Sequence, residues 1–275
     1  NFQNKNNEIF SVIKNHELYD ILKKKLNKKK FFKKTYVKKK LPNFKNYNLI
    51  INTDYSNPIT KKFFSKLITK KYNSFAYTTL IHHEKVKNDI ARQIFTKRGP
   101  IAFLPVSNNL TSVVYSLHNK LNENSENIKN LINKYNFNYK LTKIEKIDSF
   151  ELNSLNLRSY YHQNILAFGD LLHRIHPLAG QGFNMTIRDI KILIDIIRSR
   201  IQLGLQLDRS INIEFQNTLR HKNLLFSNGI DFIHEFFNFE RKTNNKFLSK
   251  SVQLLGKNPF INKIFMKVAD KGSLF

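Results

Sequence analysis

Residues 164–189 have the sequence NILAFGDLLHRIHPLAGQGFNMTIRD, and this stretch decides the fold. Its apolar run at 165–168 predicts a buried strand that ends at Gly169 and Asp170. A loop rich in turn residues follows, and a helix with a regular apolar face is predicted from near Asn184 to about residue 200. A strand, a loop and a helix in this order form the unit from which α/β folds are built.

This order of elements suits a flat, polar ligand. Asp170, at the end of a buried strand, can accept hydrogen bonds from sugar or polyol hydroxyls, although such a residue could equally be a turn residue. Gly180 and Gly182 let a planar group approach the backbone. The helix end offers free N–H groups at Phe183 and Asn184, which would favour the negative N1–C2=O edge of a reduced flavin. The Asn184 side chain could also cap the helix, and the two roles are compatible.

The middle of the chain predicts a sheet-based domain inserted into an α/β domain. Short apolar runs bounded by turn residues predict a meander of strands, and the sequence Lys97-Arg98-Gly99-Pro100 marks one of the turns. The fold class is therefore α/β with an inserted α+β domain. The predicted strands cover residues 74–83, 92–96, 101–106, 111–118, 141–150 and 153–161, with a helix near 124–135.

The N-terminal part predicts a strand at 8–14, a helix, two further strands and a second helix. The first helix is capped by Asn15 and runs to about residue 28, and a strand with a basic face is predicted at 29–40. A short buried strand at 48–53 enters a turn at Asp54. The second helix follows Pro58, with an apolar face formed by Phe63, Phe64, Leu67 and Ile68.

The last third of the chain predicts helices only. Apolar residues recur there at helical spacing, and glycine or proline separates one amphipathic segment from the next. The predicted helices cover residues 184–201, 208–222, 224–238 and 245–270, with Gly204, Gly229, Gly256 and Pro259 between them.

The composition excludes several classes of protein. The 275 residues are 41% hydrophobic, which is too many for a disordered chain. There is no cysteine, so disulfides, iron–sulfur clusters and thiolate zinc sites are excluded. No segment approaches the run of about 20 apolar residues that a membrane-spanning helix needs.

The charge balance has two interpretations. The formal net charge is +27 and the pI is near 10.1, which favours a polyanionic partner such as nucleic acid or an anionic membrane surface. Alternatively, the surplus of lysine, with asparagine, isoleucine and phenylalanine, reflects AT-rich codons, and the lysines lie on solvated faces. The lysine-rich stretch 23–40 is open to the same two interpretations, a solvated face or a membrane-docking face.

Two histidines of the deciding stretch have the spacing of a possible metal site. His173 and His176 are three residues apart, but only Asp170 is nearby as a further ligand. We therefore predict no metal site. Arg188 and Asp189, in the first turns of the following helix, are predicted to form an ion pair or to have a packing role.

The deciding stretch resembles the second FAD-binding motif of the flavin-dependent aromatic hydroxylases. It is most similar to the ubiquinone-biosynthesis branch, the 2-polyprenylphenol or polyprenyl-methoxyphenol hydroxylases. The motif is written as GD, a histidine, then HP, AGQG and N. Looser similarity covers nearly the whole chain, at 13–22, 49–57, 82–95 and 99–106. The residues in register with the motif are Gly169, Asp170, His173, His176, Pro177, Ala179, Gly180, Gln181, Gly182, Asn184, Arg188 and Asp189.

The sequence departs from the family pattern at a few positions. Leu171 and Leu172 stand where the family has two small residues, and Thr186 stands where it has glycine. Near Asp54, Tyr55 replaces the glycine of an Ala-Asp-Gly motif that helps to bind FAD and the nicotinamide cofactor. This last departure puts the handling of nicotinamide in question.

The resemblance implies a para-hydroxybenzoate-hydroxylase-like FAD/NAD(P)-binding fold that lacks its first βαβ unit, because the chain has no GxGxxG motif. It implies four parts: 1–72 as the remainder of the FAD-binding domain, 73–161 as a β-sheet substrate domain, 162–201 as the return with the flavin motif, and 202–275 as C-terminal helices. It assigns no catalytic side chain. The implied cofactor-binding residues are Asp54, Gly169, Asp170, Pro177, Gly180, Gln181, Gly182, Phe183 and Asn184.

The implied function is that of an FAD-dependent monooxygenase that hydroxylates the ring of a polyprenylated phenol in ubiquinone biosynthesis, through a flavin C4a-hydroperoxide. The implied cofactor is FAD, the reductant is NAD(P)H or another electron donor, and O2 is the second substrate. The expected location is cytoplasmic, peripheral to the inner membrane, with other ubiquinone-biosynthesis proteins as candidate partners and no nucleic acid. Without its first βαβ unit the chain is expected to bind FAD poorly and to be inactive.

Two other functions stay open at this point. One is a soluble flavin hydroxylase of small phenols, which would need a closed pocket instead of an apolar tunnel. The other is a non-catalytic basic protein that binds membrane or nucleic acid, for which the sequence has no recognisable nucleic-acid motif.

Overall fold

The computed structural model describes residues 11–35, 43–118, 123–136, 139–176 and 181–243. The chain divides into two compact units. The first takes in residues 1–41 and 74–151, and the second takes in residues 42–73 and 152–275. The four-part division implied by the resemblance stays a prediction.

An antiparallel sheet forms most of the first unit. Of the described strands, only β3, β4 and β5 pair in chain order, so the predicted meander is present only in part; β2 pairs instead with β5, β6 and β7. The order along the seven-stranded sheet is β10 (His173–Arg174)-β7-β2-β5-β4-β3, with β6 also paired to β2. β2 and β7 begin in one unit and end in the other. The strands are β2 (Leu67–His83), β3 (Arg92–Thr96), β4 (Gly99–Ser107), β5 (Leu110–His118), β6 (Leu141–Ile144) and β7 (Asp148–Leu157).

One face of this sheet packs against helix α3 (Ser125–Tyr135). Burial alternates along β4 and β5, as expected when every second side chain faces a core. The helix contributes Ile128 and Ile132, both nearly inaccessible to solvent, and the Asn124 side chain caps its first turn by accepting from the Asn127 N–H. The strands contribute Tyr77, Ile81, Ile101, Phe103, Val113, Tyr115 and Leu117.

The predicted turn between β3 and β4 is present. Gly99 pairs with Thr96 and has φ of +133°, a conformation that side chains rarely adopt. A Cβ atom there would lie 1.9 Å from the Ser116 carbonyl oxygen, so the neighbouring strand β5 can approach only because position 99 is glycine.

Helix α1 (Asn15–Asn27) also belongs to the first unit, and none of its residues is buried. Asn15 is not its cap, as the sequence predicted, because the helix already includes Asn15 and the residue before it is Lys14. Residues 29–35 form turns and irregular structure instead of the predicted strand, since the structure gives this lysine-rich segment no strand to pair with. The remainder of that predicted strand lies outside the described residues.

The described residues of the second unit form a three-stranded sheet, three α-helices and two short 3-10 helices, at Phe44–Asn46 and Gly169–Leu171. The sheet order is β1-β9-β8, with β1 parallel to β9 and β8 antiparallel to β9. The two-residue strand β10 pairs with β7. The elements are β1 (Ile50–Asn52), α2 (Pro58–Phe63), β8 (Tyr161–His162), β9 (Ile165–Ala167), β10 (His173–Arg174), α4 (Gln181–Gln202) and α5 (Arg209–Thr243).

Two helix predictions need correction, and a third is not tested. α2 ends at Phe63, and Leu67 begins β2, because pairing in a long strand overrides the helical spacing of the apolar residues. α5 continues through Gly229, where two helices were predicted. A glycine in a helix costs only about 1 kcal/mol, and the burial of Ser227 and Ile230 on either side offsets it. The predicted helix at 245–270 lies outside the described residues.

The core of the second unit joins β9 to α4 and α5. Leu166 and Ala167 of β9 are fully buried, as are Ile211 and Phe215 of α5. Leu193 and Ile196 of α4 belong to the same buried cluster. The strand that the sequence placed at 165–168 is therefore held by both of the long helices.

Candidate cofactor-binding site

Two parallel strands bring the predicted site together from distant parts of the sequence. Ile50 pairs with Ile165 and Asn52 with Ala167, so β1 and β9 end side by side. The Phe168 N–H donates to the Asn52 carbonyl oxygen at 2.9 Å and extends the pairing by one residue. The segments that contain Asp54 and Asp170 therefore leave the same edge of the sheet, which is the edge where α/β folds bind ligands.

Asp54 lies in a turn that keeps its carboxylate ionised. Its Oδ1 accepts from the Ser56 N–H and from the Ser56 hydroxyl, both at 2.8 Å. These hydrogen bonds, the one from the backbone first, lower the pKa of the Asp54 carboxyl. Among the described residues, no other group bonds this carboxylate, so Oδ2 is available to a ligand with hydroxyl groups.

A buried polar network fixes the backbone of this turn. The Asn52 amide donates to the Thr60 hydroxyl at 2.8 Å, and that hydroxyl donates to the Asp54 carbonyl oxygen at 2.5 Å. The Asn57 amide donates to Asn52 Oδ1 at 2.7 Å, and Asn57 also caps α2 by accepting from the Thr60 N–H. Asp54 is thus held by hydrogen bonds that do not use its own carboxylate.

The turn at Gly169 presents Asp170 to solvent. Gly169 has φ of +64°, the left-handed conformation that glycine adopts without strain. Asp170 is exposed, and its carboxylate accepts no hydrogen bond from the described residues. The next two residues, Leu171 and Leu172, are fully buried in the core. These departures from the family pattern therefore act as anchors for the turn and remove no ligand group.

Helix α4 is described from Gln181, so it already includes residues before the predicted start near Asn184. Asn184 is therefore inside the helix and is not the cap; its amide lies 3.5 Å from Gln181 Oε1. The N–H groups at the start of a helix have no partner within it, and Gln181, Gly182 and Phe183 are the first described residues of α4. Pro177 and Gly180, which the sequence also assigned to the site, lie outside the described residues.

The beginning of α4 packs on the segment that leads to it. A Cβ atom at Gly182 would lie 3.9 Å from the Ile175 side chain, which is an ordinary contact distance. Ile175 and Met185 form a small buried cluster with Ile230 of α5. The start of α4, with its N–H groups, is therefore held in place by apolar contacts with Ile175 and Ile230.

The side-chain pairs buried inside the second unit were not predicted from the sequence. His173 Nε2 lies 2.5 Å from Asp189 Oδ2, with both side chains 1% exposed. Asp189 was predicted to form an ion pair or to pack, but its partner was not identified. Tyr72 donates to Asp231, and burial together with that hydrogen bond raises the pKa of Tyr72. Spacing along the chain gives no signal for such pairs, because β10, α4 and α5 meet only in the folded unit.

The site fits a flavin nucleotide better than a metal ion. It has carboxylates at strand ends for polyol hydroxyls and a row of N–H donors for an anionic ring edge. Within the described residues, no three histidine, aspartate or glutamate side chains are grouped as metal ligands.

Comparison with known protein families also indicates that the chain binds FAD. A protein-family model described as an FAD binding domain matches residues 51–202. The matched range begins in β1, includes the whole inserted sheet and ends at the last residue of α4. It therefore contains both carboxylates and the helix end described above.

Curated relatives include a ubiquinone biosynthesis monooxygenase and a demethoxyubiquinol hydroxylase. The chain is 22% identical over 264 residues to ubiquinone biosynthesis monooxygenase COQ6 of Drosophila melanogaster, with 81% of this chain and 55% of the relative covered. It is 31% identical over 120 residues to 3-demethoxyubiquinol 3-hydroxylase of Escherichia coli, with 42% of this chain and 31% of the relative covered. The chain thus spans about half the length of the first of these relatives, and less of the second.

Solved structures with a similar fold include a monooxygenase and a protein crystallised with FAD. p-Nitrophenol 4-monooxygenase from Pseudomonas putida superposes with a TM-score of 0.68 at 12% identity, over 82% of this chain and 59% of that one. Klebsiella pneumoniae HpxO complexed with FAD superposes with a TM-score of 0.61 at 12% identity, over 82% of this chain and 61% of that one. These similarities confirm the predicted fold class.

Proposed function

The chain belongs to the FAD binding domain family, and from this we propose that it is part of an FAD-dependent monooxygenase that hydroxylates the ring of a polyprenylated phenol in ubiquinone biosynthesis. The observation that carries the proposal is the shared edge of β1 and β9, where Asp54 and Asp170 leave the sheet together. The relatives in ubiquinone biosynthesis support the choice of substrate class.

Each part of the site has a role in binding the cofactor. Asp170 accepts hydrogen bonds from the ribityl hydroxyls, and the N–H groups at the start of α4 donate to the pyrimidine edge of the flavin. Asp54, ionised and fixed by its turn, accepts from a further hydroxyl of the nucleotide. A bound flavin would supply the activation of O2, so that one oxygen atom enters the ring and the other leaves as water, with NAD(P)H or another donor as the two-electron reductant. The side chains bind, orient and exclude water.

The sheet of the first unit offers an apolar surface for the substrate. On the face opposite α3, Ala102 is paired with Val114 and Leu104 with Ser112 across β4 and β5. These side chains are only partly buried, in contrast to their neighbours in the core. In our proposal the phenol ring and the first isoprene units bind along this strip, because burying apolar carbon there contributes about 25 cal/mol per Å².

The proposal is tested with the protein purified from its own cells. We expect a visible flavin absorption spectrum that is lost on acid precipitation and restored by FAD. With a reductant, O2 and a polyprenylphenol in detergent, mass spectrometry should detect the phenol with one additional oxygen atom. p-Nitrophenol is the control substrate and should not be hydroxylated. Hydroxylation of p-nitrophenol alone would assign a small-phenol substrate, and absence of flavin even with added FAD would overturn the whole proposal.

We further propose that α1 brings the protein to an anionic membrane surface, where an insoluble polyprenyl substrate resides. Tyr19, Ile21, Leu22 and Leu26 of this helix are each 44–59% exposed, and Phe31 beyond it is 85% exposed. A helix with apolar and lysine-rich surfaces is suited to lie in the interface of a bilayer that carries negative charge. Its described lysines, with those that adjoin it, are Lys14, Lys23, Lys24, Lys25, Lys28, Lys29, Lys30, Lys33 and Lys34. No described helix has the length and hydropathy needed to span a bilayer.

Replacement of Lys24 and Lys25 together by glutamine should weaken binding to vesicles of phosphatidylserine and phosphatidylcholine. Each lysine near an anionic surface contributes about 1 kcal/mol, so the loss is roughly thirtyfold in the partition coefficient. Sedimentation with the vesicles measures it. The matched control replaces Lys85 and Lys97, two exposed lysines of the same unit outside α1, and should change binding little. Equal losses in the two variants would mean that net charge, and not α1, determines binding.

A further inference from the structure

A buried pair of polar side chains links the two sides of the candidate site. His173 lies on β10, three residues after Asp170, and Asp189 lies on α4, seven residues after Gly182. Their side chains are each 1% exposed, and Nε2 of the histidine is 2.5 Å from Oδ2 of the aspartate. The contact thus joins the strand that follows one ligand-binding group to the helix that carries the others.

The pair continues into a chain of hydrogen bonds. The Asn223 amide of α5 donates to Asp189 Oδ1 at 3.4 Å. Asn223 is in turn hydrogen-bonded to the Tyr160 phenol, and burial raises the pKa of Tyr160 to about 12, which keeps the phenol neutral. The Asp189 carboxylate therefore has partners on β10 and on α5.

This contact fixes the position of α4 relative to β10, in addition to stabilising the fold. A buried carboxylate must keep its hydrogen-bonding partners, so β10 and α4 cannot slide or rotate against each other without leaving Asp189 unsatisfied. In contrast, the apolar contacts of Ile175 and Met185 tolerate small shifts, because packing has no preferred direction. The first turn of α4 lies about two helical turns before Asp189, and a rotation of the helix would turn its N–H donors away from the ligand.

We propose that His173 and Asp189 are positioning residues for the flavin, which hold the N–H donors of α4 in register with the Asp170 turn. This inference rests on the proposed function, because it assumes that a flavin binds at this edge. Neither side chain touches the flavin. Their effect is exerted through the Asp170 turn and the start of α4.

The test measures FAD affinity, by quenching of flavin fluorescence, and thermal unfolding of the flavin-free protein. His173→Leu and Asp189→Leu are each expected to weaken FAD binding at least tenfold, the loss typical when an outer contact of a ligand-holding group is removed. In the double variant, FAD affinity should fall by less than the product of the two single-variant factors, because the second substitution leaves no buried polar group without its partner. His173→Gln should retain most of the affinity, since its amide can donate from nearly the position of Nε2.

The matched control is Asn212→Ala. Asn212 is fully buried on α5 and donates to the Gln163 carbonyl oxygen at 3.1 Å, a contact that involves neither β10 nor α4. This variant should lower the unfolding temperature while leaving FAD affinity unchanged. If His173→Leu lowers only the unfolding temperature, as the control does, the pair is merely structural and the inference is overturned. If the unsubstituted protein binds no FAD, the proposed function fails first, which is a different result.

Discussion

Asp170→Ala is expected to weaken FAD binding about a hundredfold or more while leaving the fold unchanged. Two hydrogen bonds from ribityl hydroxyls to a carboxylate contribute about 1.5 kcal/mol each, and their loss corresponds to a factor of more than a hundred. The fold should not change, because the Asp170 carboxylate is exposed and supports no other described residue. Titration of the flavin-free protein with FAD measures the affinity, and thermal unfolding measures the stability, which should stay within about 0.5 kcal/mol.

Asp208 provides a matched control for this substitution. It is also an exposed aspartate of the second unit, and its carboxylate accepts from the hydroxyl and, to a smaller effect, from the N–H of Ser210, which lower its pKa. Asp54 has the same arrangement with Ser56. Asp208→Ala should therefore leave FAD affinity unchanged, and Asp54→Ala should weaken it. If Asp170→Ala binds FAD as tightly as the unsubstituted protein, the flavin does not bind at this edge.

Phe215→Ala is expected to lower the free energy of unfolding by about 3–5 kcal/mol. The Phe215 ring is fully buried on α5, and its centroid lies 5.6 Å from that of Phe168 and 6.5 Å from that of Tyr160. Removal of the ring leaves a cavity directly behind the residue that precedes Gly169. Urea unfolding of the flavin-free protein measures the change.

Two further variants define this effect. Phe215→Leu keeps most of the apolar volume and should cost about 1–2 kcal/mol. Leu225→Ala, on the same helix but at a side chain 73% exposed, should stay within about 0.5 kcal/mol. A loss below 1 kcal/mol for Phe215→Ala would mean that the aromatic cluster does not hold the site turn in place.

The sequence predicted the strand, loop and helix around 164–189 because each has a local cause. Four successive apolar residues, a glycine with positive φ and an amphipathic helix are each determined within a few residues. The predicted start of α4 near Asn184 is too late, because the described helix already includes Gln181, Gly182 and Phe183. The exposed carboxylate of Asp170 was placed correctly at the end of a buried strand.

The contacts between distant residues could not be predicted in the same way. The pairing of His173 with Asp189 depends on how β10 and α4 pack, which no spacing along the chain records. Likewise, Leu67 and Ile68 have helical spacing relative to Phe63 and Phe64, and only the partner strands of the sheet show that they belong to β2. Tertiary packing decides such positions whenever local preference is weak.

The parallel pairing of β1 with β9 has a consequence for the order of folding. Ile50 and Ile165 are 115 positions apart (165 − 50), so bringing them together from an unfolded chain costs about 4 kcal/mol of loop-closure entropy. The hairpins of β3, β4 and β5 need only short loops and can form first, which shortens the effective loop. The edge that holds Asp54 and Asp170 is then among the last parts to form. A ligand bound there would act mainly on the rate at which the finished protein unfolds, and little on the rate at which it folds.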